Sequence, residues 1–149
     1  GTSENVDFPE EKDKEDKELD KIYFFEDVVI EVAQQKHPHI CVKCEEGILV
    51  LSTVSSQVHT TRNNLIAYGI ANDAEMPILK PTLQNKLKKE SYVECNHAFL
   101  CDKTDFANYL NDGKIWDTGG VLSSTELDSI IIGIRGSSKV TEEIKQLFG

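Results

Sequence analysis

Arginine and long apolar runs are both scarce in this chain of 149 residues. Only two arginines occur, Arg62 and Arg135, and the formal net charge is −10. Proteins that bind nucleic acid are usually basic, because lysine and arginine replace the cations around phosphates. The composition therefore counts against RNA binding. No apolar run is long enough to span a bilayer, and no signal peptide is visible, so we expect a cytoplasmic protein with no membrane partner.

The first 20 residues differ from the rest in charge. They hold nine acidic residues and three lysines, a net charge of −6, and few apolar groups. Such a segment cannot bury enough apolar surface to offset the entropy of ordering it. The sequence predicts a disordered acidic tail over residues 1–20 and a single domain over residues 21–149. The tail either keeps the protein soluble or occupies a positively charged groove of the same chain.

The order of the predicted elements indicates the fold class. Strand-forming segments come first, at 22–32, 39–43, 48–54, 76–79 and 92–95, and residues 58–75 are predicted as a long loop with one short strand at 65–70. Helices follow at 103–111, 123–134 and 139–148. Because helices do not separate the early strands, we expect an α+β fold with an antiparallel sheet or small barrel. The glycine-containing turn at residues 45–47 predicts a hairpin.

Capping residues fix the positions of two of these helices. Asp102 is a suitable N-cap for the first. Ser123 and Glu126 have the spacing of a capping box, and Leu122 with Leu127 has that of a hydrophobic staple. Apolar residues then recur at helical spacing as Leu127, Ile130, Ile131 and Ile134. Gly133 and Gly136 are predicted to mark the end of this helix.

Four cysteines occur, at positions 41, 44, 95 and 101. Cys41 and Cys44 lie at the end of a predicted strand, where a three-residue offset is expected to point the two thiols to opposite faces. A structural zinc site needs four ligands that converge, and the glycine-containing turn of zinc ribbons is missing. The sequence therefore favours ordinary core thiols and no metal site.

Three short motifs occur in a particular order: Ser91-Tyr92-Val93-Glu94-Cys95, then Asp102-Lys103, then Gly120-Val121-Leu122-Ser123. As an ordered set they resemble the PemK/MazF family, the endoribonuclease toxins of toxin–antitoxin pairs. The resemblance implies a small antiparallel β-barrel flanked by C-terminal helices. It also implies a homodimer that cleaves mRNA without a metal or other cofactor and is held by an antitoxin protein.

The resemblance also implies positions for the catalytic groups. In that family an Arg-Pro pair begins the second strand, and here His37 stands in place of the arginine, with His39 two residues later. The hydroxyl at the end of the third strand is Ser55, with Thr53 as the alternative. Histidine can act as acid or base in RNA cleavage, and Arg62 could replace the missing arginine. The competing interpretation is that both histidines are surface residues beside a turn proline.

One basic cluster stands out in an acidic chain. Lys86, Lys88 and Lys89, with Lys80 before them, form either a solvated surface or a patch that binds RNA phosphates. Trp116 is either a core anchor or an interface residue. The acidity and the lost Arg-Pro pair favour an alternative function, a catalytically degenerate protein-binding module of the same fold.

Overall fold

The computed structural model describes residues 17–26, 28, 33–34 and 36–149. Within this part of the chain, seven antiparallel strands form one curled sheet, a half-barrel. The strands are β1 (Lys21–Phe25), β2 (His37–Glu45), β3 (Ile48–Ser55), β4 (Ile78–Leu79), β5 (Ser91–Val93), β6 (Phe99–Asp102) and β7 (Ile115–Val121). Their order across the sheet is β4-β5-β3-β2-β1-β7, and β6 also pairs with β3.

Four α-helices are present among the described residues, three of them after β6. They are α1 (Asn63–Ala67), α2 (Lys103–Asn111), α3 (Ser124–Gly136) and α4 (Glu142–Gln146). Shorter helical turns lie at Val58–Arg62, Asp73–Glu75 and Cys95–His97. No helix in the described part of the chain has the length and apolar character required to cross a membrane.

Strand β3 organises the sheet. It pairs with β2 along one edge, and on its other edge it pairs first with β6 and then, at Val54 and Ser55, with β5. The turn Cys95–His97 separates β5 from β6, so that one edge of β3 is covered by two short strands laid end to end. Both faces of β3 are buried, which explains why its sequence does not alternate between apolar and polar residues.

Two apolar cores lie on the two faces of the sheet. The first contains Ile40 and Val50 of the sheet, and Ile130 and Ile134 of α3 pack on it together with α4. The second contains Tyr23, Phe25, Leu49 and Leu51, against which Phe106 of α2 packs. Because successive residues of a strand point to opposite faces, β1, β2 and β3 each contribute to both cores.

The α+β class, the hairpin of β2 and β3, and the three helices predicted in the C-terminal part of the chain are confirmed. Asp102 caps α2 by accepting hydrogen bonds from the backbone N–H groups of Thr104 and Asp105. The capping box of Ser123 and Glu126 is also formed. These elements are specified locally, by caps and turns, and so are readable from the sequence.

The prediction for residues 58–75 is wrong. The segment is helical over Val58–Arg62 and Asn63–Ala67 rather than a loop with a strand. Its apolar side chains Val58, Leu65 and Ile66 pack in a third cluster with Met76 and Tyr92, and this packing stabilises a helix that the polar composition did not indicate.

Two strands and part of a third differ from those predicted from the sequence. β6 and β7 were not predicted, because β7 contains Asp117 and two glycines and is stabilised by pairing with β1. The first strand is Lys21–Phe25, and residues 27 and 29–32 of its predicted extension lie outside the described residues. Residues 1–16 of the predicted tail also lie outside them, whereas residues 17–20 form a turn against β2.

The sequence predicted that Gly133 marks the end of helix α3, and that prediction is wrong. This residue lies within α3, where a Cβ atom would stand 2.6 Å from the carbonyl oxygen of Ala74 and 2.8 Å from the Cys95 sulfur. At Gly136, the last residue of α3, a Cβ would meet nothing within 4 Å. Gly133 therefore allows α3 to approach the helical turns Asp73–Glu75 and Cys95–His97 closely, and Gly136 has no such role.

We predict that Gly133→Ala destabilises the protein and that Gly136→Ala does not. Alanine favours a helix, but at position 133 it forces backbone or sulfur to move, at a cost of about 1–3 kcal/mol. At position 136 the effect should be neutral or a gain of less than about 1 kcal/mol. Urea unfolding of the two variants measures the difference. Equal stability would show that α3 packs less tightly than described.

Candidate functional site: a lysine-lined pocket

A pocket of about 590 Å³ lies on one face of the sheet. Its floor is apolar and comes from adjacent strands, with Ile22 and Phe24 on β1, Pro38 on β2 and Val54 on β3. The segment of residues 80–90, which we call the lysine loop, forms a wall through its residues 85–89. The pocket thus combines a rigid strand-built floor with a wall made by one loop.

The charge of this pocket is opposite to that of the chain. Lys36, Lys86, Lys88 and Lys89 line it, and no aspartate or glutamate is among the described residues that do so. Four positive charges gathered over an apolar floor attract anions, and the low dielectric of the floor strengthens that attraction. In a chain of net charge −10, this is a local surface of positive charge.

Two of these lysines have an uncommon backbone conformation. The φ angle is +61° at Lys36 and +56° at Lys86, in the left-handed region that residues with a Cβ rarely adopt. Each such residue costs on the order of 1 kcal/mol and persists only where the surrounding structure holds it. The backbone N–H groups donate to the carbonyl oxygens of Phe25 and Thr82, respectively. The fold therefore holds the backbone of both lysines in this conformation.

The buried amide of Asn85 holds the lysine loop in place. Its Oδ1 accepts hydrogen bonds from the N–H groups of Thr82 and Leu87, both at 3.0 Å. Its Nδ2 donates to the carbonyl oxygen of Lys80 at 2.9 Å and to the Glu126 carboxylate at 3.1 Å. Since Glu126 belongs to the capping box of α3, the loop is tied to the start of that helix.

A glycine lets the loop approach β7. At Gly120 a Cβ atom would stand 2.2 Å from the carbonyl oxygen of Asn85, which no side chain can tolerate. The next residue, Val121, donates its N–H to the carbonyl oxygen of Gln84 at 2.8 Å. The loop that follows β4 therefore contacts β7, so it spans the space between the two ends of the sheet.

Trp116 adds an aromatic surface to the pocket. It lies on β7 opposite Phe24 of β1, and the two rings stack at a centroid distance of 5.0 Å and an interplanar angle of 29°. The side chain is 47% exposed, so it is not a core anchor. An exposed indole beside lysines is a suitable platform for a planar ring carried by an anionic ligand.

The structure brings some of the predicted site residues together. His37 lines the pocket from the start of β2, and Lys86, Lys88 and Lys89 line it from the loop. The hydroxyl residue in this pocket is Ser56, one position beyond the predicted Ser55. The alternation of a strand explains the difference, because Ser56 shares the face of Val54 and Ser55 does not. The burial of Val54 was the signal that could have found it.

Ser55 and the alternative Thr53 point to the other face of β3. The Ser55 hydroxyl is buried and accepts a hydrogen bond from the N–H of Gln57 at 3.2 Å. Thr53 is fully buried opposite His39 on β2. Neither hydroxyl is among the groups that line the lysine pocket.

His39 also belongs to the other face. Its ring stacks on Phe25 at 3.9 Å and meets the edge of Phe99 at 5.8 Å. Its Nδ1 donates to the carbonyl oxygen of His37 at 3.0 Å, and burial lowers the pKa of His39 to about 4. The ring is neutral at pH 7 and has no solvent access, so it supports the strand rather than serving as a base.

Arg62 lies away from the lysine pocket. Its Nε donates to the carbonyl oxygen of Met76 at 2.8 Å. It lines a different cavity, of about 710 Å³, next to α1 and Glu75. The structure thus does not bring this guanidinium to His37.

The expected orientation of the first two cysteines is wrong. A β-bulge in β2 shifts the register between Cys41 and Lys43, so Cys41 and Cys44 come to the same side with their sulfurs 3.7 Å apart. Burial raises the pKa of Cys95 and of Cys101 to about 12, so neither thiol is ionised at neutral pH. None of the four cysteines, all of which lie in the described part of the chain, forms a disulfide.

Comparison of the sequence with protein-family models and with curated proteins finds no match. The pocket offers ammonium groups for an anion, an imidazole for proton transfer, a hydroxyl, and an aromatic surface. This combination suits a phosphate ester that carries a planar base.

We predict that His39 makes the protein less stable in acid. The unfolded chain binds a proton at this residue near pH 6.5, but the folded chain does so only near pH 4. The stability from His39 is complete above pH 6.5 and is lost as the pH falls towards 4. Between pH 7 and pH 4.5 the free energy of unfolding of the wild type should fall by about 2 kcal/mol more than that of His39→Gln.

Urea unfolding at the two pH values measures this loss, and His59→Gln is the matched control because His59 is exposed. Parallel losses in wild type and His39→Gln would show that His39 is not buried as a neutral ring.

Proposed function

We propose that this protein is a metal-independent endoribonuclease of the PemK/MazF type that binds single-stranded RNA in the lysine pocket. The observation that carries the proposal is the charge of that pocket, where four lysines and no described acidic side chain line an apolar floor in a chain of net charge −10. A soluble acidic protein gains nothing in stability from clustering lysines, since like charges repel. Such a cluster is useful where a polyanion must be bound.

The proposed reaction uses the RNA 2′-hydroxyl as nucleophile. His37 removes the proton from this hydroxyl, its oxygen attacks the adjacent phosphorus, and the bond from phosphorus to the 5′-oxygen breaks. The products are a 2′,3′-cyclic phosphate and a 5′-hydroxyl, which takes up a proton. Lysines of the loop stabilise the negative charge that develops on the phosphate oxygens, and Ser56 donates a hydrogen bond to one of them.

Trp116 provides a surface on which a nucleobase can stack. Nucleobases stack on exposed aromatic side chains with a gain of about 1–3 kcal/mol per base. Here the stacked pair of Trp116 and Phe24 lies in the same pocket as the lysines. A nucleotide with its base on Trp116 and its phosphate towards Lys86 would use both. Stacking of this kind requires an unpaired base, which favours single-stranded RNA.

The resemblance to PemK/MazF also carries finer expectations, which belong to the proposal. The contact of the lysine loop with β7 supports closure of the half-barrel into a small barrel. We further propose that the protein acts as a homodimer and that an acidic antitoxin protein inhibits it by covering the lysine pocket.

One observation favours a second function. No arginine lines the pocket among the described residues, and the position of the family's arginine is His37. Lysines over an apolar floor can also hold an acidic protein segment, with its carboxylates on the ammonium groups and its apolar side chains on Phe24 and Leu87. In that case the protein is a binding module of the same fold without cleavage activity.

We predict that purified protein cleaves mixed-sequence RNA in EDTA and that the rate depends on His37 and Ser56. His37→Ala should lower the single-turnover rate by at least about 100-fold, because it removes the base. Ser56→Ala should lower it by about 10-fold, the loss expected for one hydrogen bond to a charged group. Gel analysis of end-labelled RNA measures both rates.

Ser55→Ala is the matched control, since its hydroxyl lies on the other face of β3 and the rate should not change. A larger loss in Ser55→Ala than in Ser56→Ala would contradict the assignment. If the wild type binds RNA but does not cleave it, the proposed endoribonuclease activity is contradicted and the binding module is the remaining function. Removal of residues 1–16 in the same assay tests whether the acidic segment competes with RNA, and the cut spares the turn at residues 17–20.

We predict that the loop lysines set the salt dependence of RNA binding. Each phosphate contact to single-stranded RNA contributes about 0.7 to the slope of log K against log salt. Replacing Lys86, Lys88 and Lys89 with alanine should therefore make this slope shallower by about 2. Fluorescence anisotropy of a labelled oligoribonucleotide between low and moderate salt measures the slope.

The matched control replaces Lys114, Lys139 and Lys145 with alanine. These substitutions remove the same charge, but from outside the pocket. If both triple variants lose affinity equally, the effect is one of net charge and the lysine pocket is not the RNA site.

A further inference from the structure

The turn that precedes β1 lies next to the lysine loop. The N–H of Leu122 donates to the carbonyl oxygen of Asp20 in this turn at 2.9 Å, and the N–H of Val121 donates to Gln84 of the loop at 2.8 Å. Ile22, two residues after Asp20, already belongs to the pocket floor. Two residues of a strand span about 7 Å. The residues that precede the turn are therefore joined to the chain close to the pocket.

Residues 4–16, which precede the turn and lie outside the described residues, have the charge that complements the pocket. They hold seven acidic residues and two lysines, a net charge of −5. The pocket has four lysines and no acidic side chain among the described residues that line it. An acidic segment and a lysine-lined pocket in one chain attract each other, and like-charged surfaces elsewhere on the chain do not compete for the segment.

The same segment has apolar side chains that suit the pocket floor. Residues 6–11 read Val-Asp-Phe-Pro-Glu-Glu. The residue before a proline favours an extended backbone, in which Val6 and Phe8 point to one side and the residue between them to the other. An extended segment can therefore place its apolar side on the floor. The half-exposed ring of Trp116 offers an edge or face to a second aromatic ring.

The connection to the turn is long enough for this contact. Five residues, 12–16, separate residues 6–11 from the turn, and five residues span up to about 17 Å when extended. The pocket floor begins about 7 Å beyond the turn, at Ile22. A segment of the same chain therefore reaches the pocket, and no second copy is required.

The tether compensates for the weakness of the individual contacts. Exposed ion pairs are weak one by one and are screened by salt, so a separate peptide of this sequence would bind poorly. A short tether gives an effective concentration on the order of 1 mM, which is sufficient for weak contacts to be occupied. A ligand with more negative charges along its length can still displace the segment.

We propose that residues 6–11 occupy the lysine pocket of their own chain, with the phenylalanine ring beside Trp116 and the carboxylates of Asp7, Glu10 and Glu11 on the lysines. RNA then has to displace this segment before it binds. As a control on RNA access, the contact rests on the proposed function. The occupancy of the pocket by the segment does not, and it is measured without RNA.

The test is acrylamide quenching of the fluorescence of Trp116, the only tryptophan, in the full chain at low salt. The acidic-segment variant combines Asp7→Asn, Glu10→Gln and Glu11→Gln. It should raise the quenching constant by about twofold, because the segment no longer shields the indole when its ion pairs are lost. Added salt should raise the constant of the wild type in the same way.

A matched control removes the same three charges from exposed positions outside the pocket, by Glu46→Gln, Asp112→Asn and Asp128→Asn. Its quenching constant should equal that of the wild type. Equal quenching in the wild type and the acidic-segment variant would overturn the proposal, and so would an equal rise in both triple variants.

A double-mutant cycle tests whether the segment and the lysines act on each other. Replacing Lys86, Lys88 and Lys89 with alanine should raise the quenching constant as the acidic-segment variant does, and the combined variant should show no further rise. Additive effects would contradict the contact. A wild-type constant that falls as the protein concentration rises would place the segment of a second copy in the pocket and would also overturn it. Loss of RNA binding would not change any of these outcomes.

Discussion

The amide of Asn85 is the group on which the pocket depends. Its Oδ1 accepts two hydrogen bonds from backbone N–H groups of the lysine loop. Its Nδ2 donates to the carbonyl oxygen of Lys80 and to Glu126 in the helix cap, which ties the loop to that helix. The side chain is buried, so loss of the amide would leave several polar groups without partners in a place that water does not reach. Without it, the loop that carries three lysines would lose these hydrogen bonds and keep its backbone contact with β7.

The position of this loop also explains how an acidic chain can attract an anion at one site. The chain is acidic as a whole, which opposes binding of a polyanion at long range. Within about one Debye length of the pocket, near 8–10 Å, the local lysines determine the potential instead. An acidic overall charge and a specific anionic ligand are therefore compatible, provided that the cations are held together.

Local signals predicted much of the fold and only part of the site. The caps at Asp102 and Ser123 and the turn after β2 act within a few residues, so they were readable. β7 was not, because Trp116 and Asp117 become a strand only through pairing with Phe24 and Tyr23, which are about ninety residues away in sequence. Helix α1 depends likewise on packing against Tyr92.

For the site, the residue types were predictable and their faces were not. The lysine cluster and His37 were identified from composition and register, but Ser55 and Ser56 exchange roles because one residue of offset reverses the face of a strand. His39 is separated from the pocket although only one residue lies between it and His37. A bulge of one residue brought Cys41 and Cys44 together, and no feature of their spacing could have shown it.

The single tryptophan of the chain gives the most direct test of the central claim, that the lysine pocket binds single-stranded RNA. Trp116 fluorescence is recorded while a short oligoribonucleotide is added at low salt in EDTA. The account predicts a saturable change that is reversed by added salt and is absent when Lys86, Lys88 and Lys89 are replaced. A fluorescence that does not respond to RNA, or that responds equally in the lysine variant, would contradict it.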